Sequence, residues 1–460
     1  MNIISQILTV LTLKRIILTA LTLKSFYTTQ LRRSMPVNPP DKKDGNTLQN
    51  GQCQPPQYSI TSRERVLKAI RHEETDRIPI DLGGMPSTGI MAIAYARLKE
   101  YLGITQGEIR LFDMGQQLAE VEPEILSRFG IDVISLGNSL GEAPPEFWKP
   151  WRLPEGTACQ VPASVDLRPD EENGGWLIWE NGVPTQRMTA SSLYFSEVFH
   201  PLAEATTPEE LKLFPRPVIS DEDLQFLEMR AKALYENTDF AIMANYGGSI
   251  LEAGNSLRGF TRFMMDLARG GAFVENLIGG IVETQLSNLS LYLEAVGNYV
   301  QIVQFGDDLG MQDRPLMSRS MYQKYLLPGH QKLYQYVHKN SNCAVFLHSC
   351  GSIYPLIPDL ITAGIDILNP VQTSAKNMDP IQLKADFGDK LTFWGGGCDT
   401  QHVLPFSTPN EVAQHVRERI KIFAPGGGFV FNPIHNIQAD VPPENITAMF
   451  NAALEFRYAS

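Results

Sequence analysis

Short apolar runs alternate with longer helix-forming stretches along this chain, and most of the runs end in Gly, Asp, Asn, Cys or His. The runs are Ile78–Leu82, Asp132–Leu136, Phe240–Tyr246, Tyr299–Phe305, Cys343–Leu347, Asp366–Leu368, Leu391–Trp394 and Gly428–Phe431. They are apolar throughout rather than alternating, the pattern of strands buried on both faces. Helical periodicity fills most of the gaps: Ser62–Arg71 behind a Thr61 N-cap, Ala92–Leu102, Glu120–Phe129, Ser318–His338, Ile353–Ala363, Pro380–Phe387, Pro409–Phe423 and Pro443–Phe456. Ten or so helical residues between strands require parallel crossovers. Eight such strands in roughly 400 residues predict an α/β fold, a (β/α)8 TIM barrel, ahead of an open doubly wound sheet.

The alternation breaks at about residues 144–199. Trp148, Trp151, Trp176 and Trp179 sit there among Pro and Gly, and Gly174–Trp179 followed by Gly182 reads as antiparallel hairpins. This predicts a β-hairpin insertion after the second strand, placed over the barrel mouth, with the Trp side chains as its own core. The barrel unit is then 59–460. Residues 1–58 differ in kind. The first forty contain no Asp or Glu but carry Lys14, Arg15, Lys24, Arg32 and Arg33. Lys14-Arg15 splits the apolar part, so neither half approaches the ~20 residues that span a bilayer. The segment reads as a mitochondrial-type transit peptide or as sequence upstream of the native start, followed by a disordered Pro-rich linker at 36–58. The expected location is cytoplasmic, or mitochondrial if the leader is a transit peptide. A net charge of −12 with no basic stripe excludes a nucleic-acid groove. Five Cys, odd in number and widely spread, argue against a disulfide framework and for a reducing compartment.

The chemistry gathers at the strand ends. His348 and Cys350, two apart, project to the same side, and an imidazole beside a thiolate supplies two legs of a zinc site. Asp307 and Asp308 follow the Tyr299–Phe305 strand as candidate acid/base residues; being adjacent, only one of them should face the mouth. Asp399 is a candidate catalytic residue or a turn former. Glu252 and Asn369 are candidate substrate-binding residues at the mouth. Gly247-Gly248 and Gly395-Gly396-Gly397 admit a close backbone approach.

Five segments together carry a family resemblance: Gly306-Asp307-Asp308-Leu309-Gly310, His348-Ser349-Cys350-Gly351-Ser352, Asn369-Pro370-Val371-Gln372, Phe393-Trp394-Gly395-Gly396 with Asp399-Thr400-Gln401, and Pro442-Pro443-Glu444-Asn445-Ile446. With them, roughly residues 60–458 resemble the uroporphyrinogen decarboxylase superfamily, whose fold is a β/α barrel. True uroporphyrinogen decarboxylases begin with an Arg-containing stretch that grips the substrate's carboxylates. Here the first strand leads instead into Gly83-Gly84-Met85-Pro86-Ser87-Thr88, without Arg. The His-x-Cys pair is similar to the corrinoid-dependent methyltransferase branch, where zinc is held by that pair and a later Cys near the eighth strand. At that strand this chain has His435, which the resemblance makes the third ligand, with Cys398 at the seventh strand as the alternative. The implied activity is zinc-dependent methyl transfer between a small substrate and a corrinoid or thiol, with the corrinoid supplied by a partner protein. Two neutral His and one thiolate leave zinc near +1, which favours an oxygen or nitrogen ligand in the open fourth position. Two other readings remain: metal-free decarboxylation of uroporphyrinogen or a related carboxylate by a mouth Asp, and a non-catalytic corrinoid- or tetrapyrrole-binding protein.

Overall fold

A computed structural model of the chain describes residues 60–141, 145–212 and 216–458. The leader expected at 1–58 lies outside the described residues. Seven parallel strands form one sheet, numbered here in chain order: β1 (Val133–Ser135), β2 (Ala241–Gly247), β3 (Ile302–Gly306), β4 (Ala344–His348), β5 (Ile367–Asn369), β6 (Thr392–Trp394) and β7 (Phe429–Val430). Their spatial order is their sequence order, each strand pairing in parallel with the next. The segment predicted as the first strand is not a regular strand. It meets both sheet edges through single bridges, Ile80 with Phe431 and Asp81 with Val133. Backbone bonds from Asp81 N to Phe431 O and from Asp132 N to Ile80 O, each 2.8 Å, fasten it there. The result is a curled, TIM-barrel-like sheet.

Two separate hydrophobic clusters follow from that curl. The larger fills the space between the sheet and the surrounding helices. The smaller takes side chains from every strand: Val133, Ala241, Met243, Ile302, Phe346, Ile367, Trp394 and Val430. Val66 and Ala69 of the helix Ser62–Ile70 and Met85 of the following turn join this second cluster. Each strand therefore buries one face inward and one outward, which is why its sequence is apolar at consecutive positions.

Most helices lie where periodicity places them, and local chemistry fixes their ends. Thr408 and Glu411 form a capping box at the start of Pro409–Phe423, and Asp379 caps Pro380–Phe387. Three expectations need correction. The helix expected over Ser318–His338 is two, Arg319–Tyr325 and Leu327–Asn340, because Pro328 has no N–H and sits in a first turn. The helix expected from Glu120 starts at Pro123; the Glu120 carboxylate accepts instead from Ser139 N and Oγ. Leu111–Asp113 and Leu118–Ala119 form an antiparallel pair where no strand was expected. Between β1 and β2 the chain forms two small antiparallel sheets. Trp148–Arg152 pairs with Ala158–Pro162, and Asp166–Pro169, Trp176–Glu180, Val183–Met188 and Ser196–Glu197 line up in order. Trp151 and Trp176 meet edge to face at 5.8 Å. Among the described residues, no helix is long and apolar enough to cross a membrane.

At the end of the sheet where the strands begin, charge is buried. The Asp132 carboxylate receives Arg65 Nη1 at 2.7 Å, Arg77 Nη1 at 2.6 Å and Nη2 at 2.9 Å, and Ile80 N at 2.8 Å. All three side chains are almost fully buried. Removing the anion leaves two buried guanidiniums short of compensation, a loss of about 3–5 kcal/mol. Asp132→Asn is therefore expected to lower stability by that amount in urea titration; a change near that of a surface substitution would mean the network adds little.

Candidate metal centre

The site is built where the strands end. His348 is the last residue of β4 and Cys350 lies two beyond it, while His435 follows β7 across the curled sheet. The ligand atoms of these three residues all lie within 4.8 Å of one another. Cys350 Sγ is 3.3 Å from His348 Nε2. The two imidazoles meet edge to face with centroids 5.9 Å apart.

Each imidazole is held by an amide. Asn369, the last residue of β5, donates from Nδ2 to Trp394 O at 2.8 Å. A carbonyl can only accept, so Asn369 Oδ1 must face His348 Nδ1, 2.6 Å away. That oxygen can only accept, so the network assigns the proton to Nδ1 and leaves the Nε2 lone pair toward Cys350. Ser87 Oγ lies 3.3 Å from the same Nε2. His435 repeats the arrangement: its Nδ1 meets Asn436 Oδ1 at 3.0 Å, and Asn436 Nδ2 donates to Gln116 at 2.7 Å. Metal-ligating imidazoles are commonly tied back through their second nitrogen in this way.

Electrostatics around the group are mixed. Burial, with the carboxylates of Asp308 and Glu252 adding to it, pushes the Cys350 thiol well above its usual range. Burial and the neighbouring His348 lower His435 to about 4, so it is neutral near pH 7. Asp308 faces this group: its Oδ1 accepts from Cys350 N at 2.9 Å and lies 3.8 Å from His348 Nε2, with 48% of the side chain exposed.

The other expected site residues fall elsewhere. Asp307 is fully buried and turned away. Its carboxylate accepts from Ile250 N, Leu251 N and Glu252 N at the start of the helix Leu251–Arg258, and meets His330 Nε2 at 2.9 Å. The helix terminus and the imidazole together satisfy it, so it is no free acid or base at the mouth. Asp399 accepts from Gln401 N and His402 N, the bonds of a turn former. Asn369 is fully buried and faces His348 rather than open space. Cys398 is buried, its Sγ 3.9 Å from Asp399 O, and among the described residues it is not one of the converging atoms. Glu252 lies close enough to Cys350 to raise it, as described above. Ser87 and Asn436 were missed. For Asn436 the available signal was its place directly after His435. An open cleft of about 450 Å³ is lined by Cys350 and His435 together with Tyr194, Gln372, Gln401 and Gln438.

The family model for uroporphyrinogen decarboxylase (URO-D) matches residues 203–456, more than half of the chain. The chain belongs to the URO-D family. A curated URO-D relative, named uroporphyrinogen decarboxylase, from Magnetococcus marinus is 26% identical over 111 residues. That match spans 24% of this chain and 28% of the relative, so the chain matches little more than a quarter of that protein's length. A solved methyltransferase from Methanosarcina mazei is similar in fold, with TM-score 0.52 and 16% identity over 86% of this chain and 99% of that one. At that identity the likeness shows the fold alone.

The turn that carries Ser87 is itself anchored. Asp81 accepts from Gly84 N at 2.8 Å and from Trp394 Nε1 at 2.9 Å, and its burial pushes its carboxyl up to about 6. In the unfolded chain it ionises in the ordinary carboxylate range, near 4. Between those values the folded state holds the extra proton, so stability falls as pH rises from about 4 to about 6. Asp81→Asn is expected to flatten that part of the pH–stability curve, whatever its overall stability. An unchanged slope in chemical denaturation would contradict the assignment.

Proposed function

We propose that this URO-D family protein is a zinc-dependent methyltransferase, moving a methyl group between a small substrate and a corrinoid or thiol. The observation that carries the reading is the convergence of one thiol and two amide-anchored imidazoles at the mouth of the curled sheet. The donor set fits zinc: usual Zn–S and Zn–N bond lengths put S and N about 3.5 Å apart on a tetrahedral edge, near the 3.3 Å between Cys350 and His348. His348, Cys350 and His435 would hold the ion, leaving a fourth position for substrate. When bound, zinc supplies a Lewis acid that polarises an oxygen or nitrogen or stabilises a thiolate.

The chain's own groups do the rest. Asn369 and Asn436 keep both Nδ1–H groups turned back, so the Nε2 lone pairs need no reorientation. Cys350, with its raised pKa, keeps its proton until a cation displaces it, so metal uptake releases a proton and weakens as pH falls. Asp308, half exposed beside Cys350, is placed to take up a proton from an entering group. Tyr194, in the connection between the strands Val183–Met188 and Ser196–Glu197, donates to Gln438 at 2.7 Å and lines part of the cleft. A corrinoid, if used, would be presented by a partner protein. The methyltransferase likeness in fold is consistent with this reading. The name of the Magnetococcus relative supports decarboxylation as the second reading. Against it, among the described residues no Arg or Lys lines the cleft, whereas a polycarboxylate needs guanidinium forks.

Metal analysis of the purified protein under zinc-replete conditions tests the proposal. One zinc per chain is expected, lost in Cys350→Ala, strongly weakened in His435→Ala and retained in Cys398→Ala. Asn369→Leu, which removes the anchor but no ligand, is expected to lower zinc affinity about 10- to 100-fold. A wild type without zinc, or one whose zinc depends on Cys398 and not on His435, would overturn the assignment.

A further inference from the structure

We infer that His330, which lies outside the candidate ligand set, is a positioning residue for the metal centre: through Asp307 it fixes the backbone on which Cys350, Asp308 and Glu252 stand. The inference deepens the proposed function and rests on its reading of His348, Cys350 and His435 as one centre. It starts from a helix position that calls for an apolar residue. His330 lies on the buried side of the helix Leu327–Asn340, with Leu333, Tyr334 and Val337, and has no exposure. Two polar nitrogens are costly there unless both are paired. Both are. Nε2 meets Asp307 Oδ2 at 2.9 Å, and Nδ1 meets Tyr322 Oη at 3.1 Å. The ring also stacks on Tyr334, 13° from parallel with centroids 5.3 Å apart, which holds its plane.

Asp307 passes that restraint on in two directions. Its carboxylate collects Ile250 N, Leu251 N and Glu252 N at 2.8, 3.1 and 3.0 Å, so it sets where the helix carrying Glu252 begins. Its own N donates to His348 O at 2.9 Å. The next two residues continue the seam. Asp308 Oδ1 accepts from Cys350 N at 2.9 Å, and Leu309 N donates to Ser349 Oγ at 3.1 Å. Residues 307–309 are thus bonded one after another to the stretch that holds two of the three ligands.

Beyond the seam the two loops touch backbone to backbone. A Cβ on Gly310 would meet Cys350 O at 2.6 Å and the Gly351 carbonyl carbon at 2.8 Å. A shift of Asp307 therefore carries the Cys350 segment with it, because packed backbones leave no slack between them. His330 reaches this junction from a separate helix and anchors it to the outer shell. Groups that orient metal ligands from outside are commonly worth 10- to 100-fold in metal affinity. His330 acts one bond further out, so the low end of that range applies.

Zinc affinity of the full-length protein, measured by competition with a chromophoric chelator, and amide hydrogen exchange of its metal-free form test this. His330→Leu is expected to weaken zinc about tenfold and to speed exchange at residues 249–253 and 348–352. His330→Gln, which can still offer an N–H to Asp307, is expected to stay within about threefold of wild type. Asp132→Asn, destabilised at the opposite end of the sheet, is expected to keep wild-type zinc affinity. If His330→Leu does not fold, His330→Asn, polar but too short to reach Asp307, takes its place with the same expectation. Unchanged zinc affinity in the variant that loses the bond, a Gln variant as weak as it, or an equal loss in Asp132→Asn would each overturn the inference. Exchange separates this inference from the metal assignment. A wild type that binds no zinc, while both segments still loosen without the His330 bond, overturns the metal assignment and supports the positioning.

Discussion

A single relay of hydrogen bonds ties the strand ends to the candidate ligands. Asp81 accepts from the Trp394 indole, the Trp394 carbonyl accepts from Asn369, and Asn369 accepts from His348. Every direction in this chain is forced, because an indole nitrogen only donates and a carbonyl only accepts. The relay crosses from the segment that bridges the sheet edges, through β6 and β5, to the end of β4. It sets which nitrogen of His348 is free before any ion or substrate arrives. That is preorganisation in the useful sense: the imidazole is oriented by partners that cannot rearrange independently.

The relay depends in turn on the second core. The Trp394 ring packs in the inner cluster, at 5.4 Å from Phe346, with side chains from every strand around it. Any loosening of that cluster would move Trp394 and Asn369 together. At the opposite end, Asp132 and its two Arg partners fix the segment carrying Ile80. Buried charge is thus concentrated at the strand beginnings and the candidate ligands at the strand ends, the division of labour expected of barrels.

Much of the fold was legible because strands buried on both faces leave runs of consecutive apolar residues, and the seven sheet strands end within one residue of their predicted ends. The first strand was less regular than its sequence implied, meeting the two sheet edges through single bridges at Ile80 and Asp81. The His-x-Cys spacing was legible because strand geometry alone puts both side chains on one side. Asp307 and Asp308 were not separable in sequence. Which of them turns inward is decided by the backbone of Ile250–Glu252 and by His330, groups distant along the chain. The role of Asn369 was hidden for a similar reason. A strand-end Asn can meet a substrate or a neighbour, and only the position of Trp394 O chooses between them.

The most direct test of the central claim, that His348, Cys350 and His435 bind one zinc, is X-ray absorption at the zinc edge of the purified protein. The account predicts a single sulfur near 2.3 Å and nitrogen or oxygen scatterers at about 2.0–2.1 Å, with imidazole features from two histidines. Two sulfurs in the shell, or a spectrum with imidazole from one histidine only, would contradict it.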